Sequence, residues 1–347
     1  MATPDALPPL PIVYKSRGVV VDTQLVVFDT TFHLSSTVLK MNSQFFDRYL
    51  DSADKTPQSN AGRIYKYEWV TKVLENGEDW QLVCEGPNAS DLNISASKID
   101  TKAQTKAFKN ILDTMYHHPY VLEHAKEIIT MTNLARFYMA LPTVSRSLDK
   151  ALKDSWDSLD QLWIKDNACD MLTAAYALRH KQLYKNALIW CLGPFRQPVY
   201  TKLEDRALLQ AARCQAFKLR ATILDELYQI FGCMLEEYDD GLTDDDPENK
   251  PIRMVINFIK LSARHIENQE DSTLHIPALF DFFKDLRDQK DETWSESIAK
   301  IVFTTLTKSN LSFGYCFTGQ DPCRDYFLFS TVDSDWDLPW DAEELDW

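Results

Sequence analysis

Residues 22–50 read DTQLVVFDTTFHLSSTVLKMNSQFFDRYL, and this stretch decides the fold of the first part of the chain. Leu25 to Phe28 form a short apolar run, a polar turn follows, and Phe32 belongs to an alternating run typical of a second strand. Serines suited to helix N-caps then precede apolar residues at helical spacing. The stretch therefore predicts a β-hairpin followed by two short helices, the second of them capped by Ser43.

The pattern D-x-x-L-x-V…F-x-L-x-x-x-x-L…S-x-F-F within this stretch resembles the start of a BTB/POZ domain. The core positions of the motif in this sequence are Asp22, Leu25, Phe32, Leu39, Phe45 and Phe46. Ser35 and Ser36 stand where many members have histidine followed by lysine or arginine. The resemblance implies an α+β domain that dimerises or binds partner proteins.

A second hairpin is predicted between residues 60 and 95. Two runs rich in aromatic and β-branched residues flank Asn76–Gly77, which is the strongest short-range hairpin signal. We interpret this hairpin as an insertion into the BTB-like domain, which spans residues 15–152. Its aromatic residues either pack across the strands, the favoured interpretation, or form an exposed docking face. They are Tyr65, Tyr67, Trp69 and Trp80.

Helical periodicity dominates the chain after residue 100. Apolar residues at i, i+3, i+4 and i+7 predict an amphipathic helix over 102–116. Two further helices up to residue 152 match the later helices of a BTB domain. The fold class is therefore α+β, with a BTB/POZ-like domain that contains an inserted β-hairpin and is followed by an all-helical domain.

The all-helical domain is predicted over residues 153–308, and it includes one long helix with an apolar stripe from Leu208 to Met234. Its segment AAYALRHKQLYKNALIWCLGPF, together with a late LPWD, is similar to uncharacterised BTB proteins of filamentous fungi. The sequence also predicts a flexible Pro-rich arm over residues 1–14, an acidic linker over 236–250 and a C-terminal segment over 309–347. Three more helices are predicted over residues 252–264, 277–287 and 294–307.

The net charge of −15 belongs to two segments. Residues 236–248 contain eight acids and no base, and residues 331–347 contain seven acids and no base. Without those fifteen, 52 − 15 = 37 acids balance 37 bases. Because nucleic-acid binding needs a concentrated basic face, this near-neutral body argues against a nucleic-acid partner.

Membrane and secretory signals are missing from the sequence. No apolar run reaches the roughly 20 residues that a membrane helix needs, and the N-terminus lacks the pattern of a signal peptide. The seven cysteines are odd in number and scattered, which is typical of reduced thiols. The sequence thus predicts no membrane association and a cytoplasmic or nuclear location.

The sequence also contains none of the common nucleotide-binding, metalloprotease or hydrolase motifs. Nine glycines in 347 residues argue against phosphate-binding loops, which need the conformational freedom of glycine. His117 and His118 lack further ligands at metal-binding spacing and are interpreted as helix-end residues. Cys316 and Cys323 are interpreted as two reduced thiols near a turn. We therefore expect no enzymatic activity, no cofactor and no metal.

The C-terminal tail combines acids with large apolar side chains. Its candidate interaction residues are Trp336, Leu338, Trp340 and Trp347. Exposed tryptophan is unfavourable unless it docks on something. Two states are open: the tryptophans dock into a groove of the helical domain, which is favoured, or the tail is free until a partner offers a basic-rimmed apolar groove.

The expected function is a non-catalytic protein–protein interaction module, a scaffold or adaptor of the BTB type. Its partners would be other proteins, and the resemblance implies a second copy of the chain in a homodimer or a cullin-type ligase subunit. The alternative is a transcription-associated regulator that acts through the acidic aromatic tail.

Overall fold

The computed structural model describes four long stretches of the chain and a set of shorter ones near its end. They are residues 10–52, 64–85, 97–155, 159–239, 276–277, 280–281, 306, 309–311, 318, 323, 325–330, 332, 337–344 and 347. The chain divides into two compact units, Met1–Asp160 with Glu344–Trp347, and Gln161–Glu343. Several predictions lie outside the described residues. They are most of the Pro-rich arm and of the acidic linker, nearly all of the three late helices, and Trp336.

The first unit contains a mixed sheet of five strands in the order β1-β3-β2-β4-β5. The strands are β1 Ile12–Val13, β2 Thr23–Val27, β3 Thr30–Leu34, β4 Tyr67–Val73 and β5 Trp80–Cys84. The hairpin β2–β3 is antiparallel, as the opening stretch predicts. The later hairpin β4–β5 is also antiparallel, and β4 pairs in parallel with β2 through Leu25 and Trp69. What the sequence places as an insertion is therefore an integral part of the sheet.

The described residues of the first unit also form five helices. They are α1 Ser36–Asn42, α2 Gln44–Tyr49, α3 Thr101–Met115, α4 Lys126–Phe137 and α5 Leu141–Ser155. Ser43 caps α2 as predicted, because its hydroxyl accepts a hydrogen bond from the Phe46 N–H at 3.2 Å. Helix α3 buries the predicted apolar face, including Phe108 and Met115, against the sheet and the other helices. Strands and helices together give the α+β character that the sequence predicts.

The core of the first unit is rich in aromatic rings. Phe46 and Tyr138 stack with their centroids 5.6 Å apart and their planes at 10°, and both rings are at most 1% exposed. Phe108 approaches Tyr138 from the other direction, at 5.3 Å and 70°. These offset and edge-on contacts are the geometries that aromatic pairs prefer. They join α2, α3 and the residue that follows α4 in one cluster.

The second unit is helical over residues 161–239. Its elements are α6 Gln161–Asp166, α7 Ala168–Ala177, α8 Lys181–Leu192, a 3₁₀ turn Val199–Lys202 and α9 Arg206–Asp239. His180 caps α8, because its Nδ1 accepts a hydrogen bond from the Leu183 N–H at 3.2 Å. Helix α9 is the long helix that the sequence predicts. It buries one stripe formed by Leu208, Ala212, Ala216, Leu219 and Ile223.

Candidate protein-binding site

The residues of the opening motif have structural roles. The side chains of Leu25, Phe32, Leu39 and Phe46 are fully buried, and Phe45 is 7% exposed. They fill the core between the sheet and the helices and are therefore closed to partners.

Asp22 caps α1 in place of the neighbouring serines. Its carboxylate accepts hydrogen bonds from the Ser36 N–H and the Ser36 hydroxyl, both at 2.7 Å. Ser35 occupies the N-cap position, but its side chain makes no cap hydrogen bond. The predicted N-cap position at this serine pair is thus confirmed, but the hydrogen bonds of the cap are accepted by Asp22, which precedes the hairpin.

The alternative in which the later hairpin forms an exposed aromatic face is also wrong for three of its four residues. Tyr67, Trp69 and Trp80 are 3%, 1% and 7% exposed. Trp80 packs against Phe28 and Phe108, because β4 and β5 extend the sheet beneath α3. Only Tyr65 is partly exposed, with its hydroxyl 2.9 Å from the His33 ring nitrogen Nδ1.

A cavity of about 290 Å³ opens between the end of α3 and α5. His117 and His118 line it just after α3 ends, which is where the sequence places them. His118 stacks on Tyr14, with the ring centroids 5.4 Å apart and the planes at 14°. Tyr120 lines the same cavity, and burial raises its pKa to about 12. The two histidines thus lie exposed at the end of a helix.

A groove of about 330 Å³ lies at the corner where α1 meets α2 and where α4 meets α5. Hydrogen bonds between its walls hold the corner together. The Gln44 N–H donates to the Met139 carbonyl at 3.3 Å, and the Thr143 hydroxyl donates to the Asn42 carbonyl at 3.2 Å. We call this feature the corner groove.

The corner groove is lined by both apolar and charged side chains. Its apolar lining residues are Met41, Met139, Leu141 and Pro142, and its charged ones are Lys40, Arg136, Arg146 and Asp47. Met41 is 79% exposed and Met139 is 40% exposed. A hydrogen bond with Asp51 raises the pKa of Lys40, so that this ammonium stays charged. Because Lys40 is paired with Asp51, the remaining charged side chains of the lining are Arg136 and Arg146 against Asp47, which leaves one net positive charge.

Trp347 lines this groove together with the residues of α1, α2, α4 and α5. It belongs to the first unit with the three residues before it. The sequence around it is acidic, with Asp341, Glu343 and Glu344 nearby in the chain. The sequence identifies Trp347 as an interaction residue but does not show where it binds. The residues that line the groove come from two segments about 100 positions apart in the chain, so the groove is not visible in the sequence.

Trp340 has a different position from Trp347, on the second unit. Its ring centroid is 5.1 Å from that of Tyr184, with an interplanar angle of 86°, and 6.1 Å from that of Tyr176. Asp337, three residues earlier, accepts a hydrogen bond from the Lys218 ammonium at 2.6 Å. Leu338 is partly exposed between them. These contacts agree with the docked state of the tail at Trp340, and sequence reasoning missed Tyr176 and Tyr184 as its receivers.

The segment before the tail also packs on the second unit. The Tyr326 ring meets Trp190 with the centroids 5.7 Å apart and the planes at 69°. A Cβ placed on Gly193 would lie 2.2 Å from the same ring, so only glycine permits this approach. The Phe195 N–H donates to the Asp325 carbonyl at 2.8 Å. Residues 325–330 are thus fixed by the end of α8.

Two thiols of the second unit interact, Cys169 of α7 and Cys191 of α8. A hydrogen bond with Cys191 lowers the pKa of Cys169, whereas burial raises that of Cys191. Among the residues that the structure describes, no three histidine, cysteine or acidic side chains cluster in a way that could hold a metal ion. The corner groove, with its exposed methionines beside cationic side chains, is the candidate protein-binding site.

Comparison with protein-family models, with curated proteins and with solved structures finds no match to this chain. None of the helices in the described part of the chain combines the length and the apolar character required to cross a membrane.

Proposed function

We propose that the chain is a non-catalytic protein-interaction module, a scaffold or adaptor whose corner groove binds an acidic segment that carries a tryptophan. The observation that carries this proposal is that Trp347, in an acidic stretch, lines a groove together with exposed methionines and two arginines. A partner protein with the same combination of residues would compete for this site.

The chemistry of the groove suits such a ligand. Methionine side chains adapt to irregular apolar partners, and Met41 and Met139 are exposed before a partner binds. Burial of one large aromatic side chain contributes about 1.5–3 kcal/mol. Arginine adds directional hydrogen bonds to carboxylates, and Arg136 is an exposed residue of the lining. Apolar burial would thus supply affinity, and the cationic side chains of the lining would supply selectivity.

A peptide-binding experiment tests the proposal. Trp347→Ala should leave the groove open to a labelled peptide with the sequence LPWDAEELDW, which reproduces residues 338–347. Fluorescence anisotropy should show saturable binding that is tighter for Trp347→Ala than for the unaltered chain. The reason is that the unaltered chain places its own tryptophan in the same groove.

Matched variants distinguish binding in the groove from nonspecific binding to exposed apolar surface. Met41→Glu should abolish peptide binding, whereas Val20→Glu should not, because Val20 is equally exposed at 74% but does not line the groove. A peptide with alanine in place of its last tryptophan should bind weakly. If both exposed-residue variants bind the peptide alike, the groove is not the binding site.

The resemblance to BTB/POZ domains extends this proposal to partner classes. The antiparallel hairpin β2–β3 followed directly by α1 and α2 supports it. We propose on this basis a homodimer or a cullin-type ligase subunit as partner, in the cytoplasm or nucleus, with no nucleic acid and no membrane involved. Affinity purification with mass spectrometry distinguishes these partners, since recovered cullin subunits would favour an adaptor.

The alternative proposal is a transcription-associated regulator that acts through the acidic tail. Its supporting observation is the composition of residues 331–347, which contain seven acids and three tryptophans. The contact of Trp340 with Tyr184 means that this residue would have to leave the second unit in order to bind a partner. If the intact chain recovers transcription machinery and the chain without its tail does not, this alternative is favoured over the proposal that the corner groove binds a partner.

A further inference from the structure

Helix α9 carries a second apolar stripe on the side opposite its buried one. The stripe consists of Cys214, Phe217, Ala221, Leu224 and Tyr228, all of which are exposed. Phe217 is 64% exposed, Leu224 66% and Tyr228 81%. We call this set the outer stripe. It leaves three large apolar side chains in solvent on one face of a single helix, whereas single exposed apolar residues would need no explanation.

The spacing of the outer stripe is that of a coiled coil. Its residues follow one another in steps of 3, 4, 3 and 4, which gives a mean period of 3.5 residues. A stripe with this period stays in line with an equal stripe on a partner helix when the two helices supercoil. In the sequence, Phe231 and Leu235 continue the same alternation. The outer stripe is thus patterned for another helix of the same kind.

We propose that the outer stripe of α9 pairs with the outer stripe of a second copy of this chain, with the two helices antiparallel. The occupant is a second copy because the outer stripe keeps the same 3,4 spacing along its length. Two such stripes related by a two-fold axis therefore fit each other. The pairing is centred between Ala221 and Leu224. It uses a surface on the second unit and does not depend on the corner groove or on the resemblance to BTB domains.

The sizes of the side chains determine the antiparallel direction. Around that centre, Ala221 of each copy lies opposite Leu224 of the other, so that a small side chain meets a large one. Phe217 lies opposite Tyr228, which gives an aromatic pair at each end. A parallel pair would instead place Ala221 opposite Ala221 and leave a void, which packed interfaces avoid.

Charge supports the same direction. Lys218 and Asp225 flank the outer stripe on the same side, and both are exposed. In the antiparallel pair each lysine lies opposite the aspartate of the other copy. In a parallel pair Lys218 would lie beside Arg213 of the other copy, a like-charge contact, and Asp225 beside Arg220, an opposite-charge contact, so attraction and repulsion would offset each other. Lys218 also bonds Asp337 within its own chain, and an ammonium has donors for both carboxylates.

Sedimentation equilibrium of the full chain tests the pairing. The unaltered chain should form a dimer, and Leu224→Glu should raise its dissociation constant by at least about tenfold, because a charge then enters the centre of the interface. Gln229→Glu adds the same charge on the same helix outside the outer stripe and should leave the constant unchanged. Circular dichroism should show equal helix content for all three chains, since Leu224 is mostly exposed. A chain that is monomeric at every concentration, or a dimer indifferent to Leu224→Glu, overturns the proposal.

Cysteine cross-linking tests the direction. In a Cys214→Ser background, a chain with Ala221→Cys mixed with a chain with Leu224→Cys should form a disulfide-linked heterodimer on mild oxidation. Neither chain alone should cross-link, because in the antiparallel pair each introduced thiol lies opposite a residue of the other type. Efficient cross-linking of Leu224→Cys with itself would show a parallel pair and overturn the antiparallel arrangement.

Discussion

The indole of Trp340 meets the ring of Tyr184 edge to face, with the ring centroids 5.1 Å apart and the planes at 86°. Burial raises the pKa of Tyr184 well above its ordinary value, so this phenol stays neutral where the indole packs. Asp337 bonds Lys218 of α9 on one side of Trp340. A short acidic segment is thus positioned by one aromatic contact and one ion pair on the second unit.

The first prediction concerns this contact. Trp340→Ala should lower the free energy of unfolding of the second unit by about 1–2 kcal/mol, since a half-buried indole loses part of its apolar burial and its aromatic pair. Urea unfolding followed by circular dichroism measures the change. Trp347→Ala is the matched control, because Trp347 belongs to the first unit and should leave the second unit as stable as before. Equal losses in both variants would contradict the assignment of the two tryptophans to different units.

Two glycines of the second unit should respond in opposite directions to alanine. Gly193→Ala places a Cβ 2.2 Å from the Tyr326 ring, so the segment 325–330 must move away from the end of α8. Gly232 lies within α9 and has open space around the position of a Cβ, so Gly232→Ala should stabilise the helix by about 0.5–1 kcal/mol. Thermal unfolding should show a lower Tm for the first variant and a higher Tm for the second. Limited proteolysis should cut near Tyr326 faster in Gly193→Ala only.

Asp22 offers a test of the cap on α1. Asp22→Ala removes the acceptor of both Ser36 hydrogen bonds and should cost about 1–2 kcal/mol of stability. Asp22→Asn keeps one acceptor oxygen and should cost less. Urea unfolding of the two variants provides the comparison. A cost for asparagine equal to that for alanine would mean that the carboxylate acts through its charge and not as a hydrogen-bond acceptor.

Alkaline pH should weaken the first unit through its buried tyrosines. Burial raises the pKa of Tyr116 from 10.0 to about 12, and its hydroxyl accepts a hydrogen bond from the Ser35 N–H at 2.7 Å. Because the folded state holds the phenol proton more tightly, this stabilising contribution is complete below pH 10 and is lost as the pH rises towards 12. The free energy of unfolding should therefore fall over that range.

Tyr116→Phe isolates this contribution. At neutral pH the variant should be less stable by about 1–3 kcal/mol, since the buried Ser35 N–H loses its partner. Its stability should fall less steeply between pH 10 and pH 12, so the difference from the unaltered chain should shrink. Denaturant unfolding at several pH values measures both effects. A difference that is independent of pH would show that Tyr116 does not titrate in this range.

The sequence by itself determined the elements whose causes are local. The strand alternation around Phe32, the cap on α2 by Ser43 and the helical period of α3 and α9 all depend on residues within a few positions of one another. Side chains at such short separations interact in the isolated segment, so the printed order of residues is enough to predict them. The α+β character of the chain follows from these elements.

Only the tertiary structure decided which of those surfaces are buried and where the candidate residues lie. Trp69 is in the core because β4 pairs in parallel with β2, a contact between strands more than 40 residues apart. Trp347 lines the corner groove, and Trp340 contacts Tyr184 more than 150 residues earlier in the chain. Hydrophobic burial has no direction and no preferred sequence separation, so the pattern of the sequence shows that a tryptophan needs a partner but not which partner it finds.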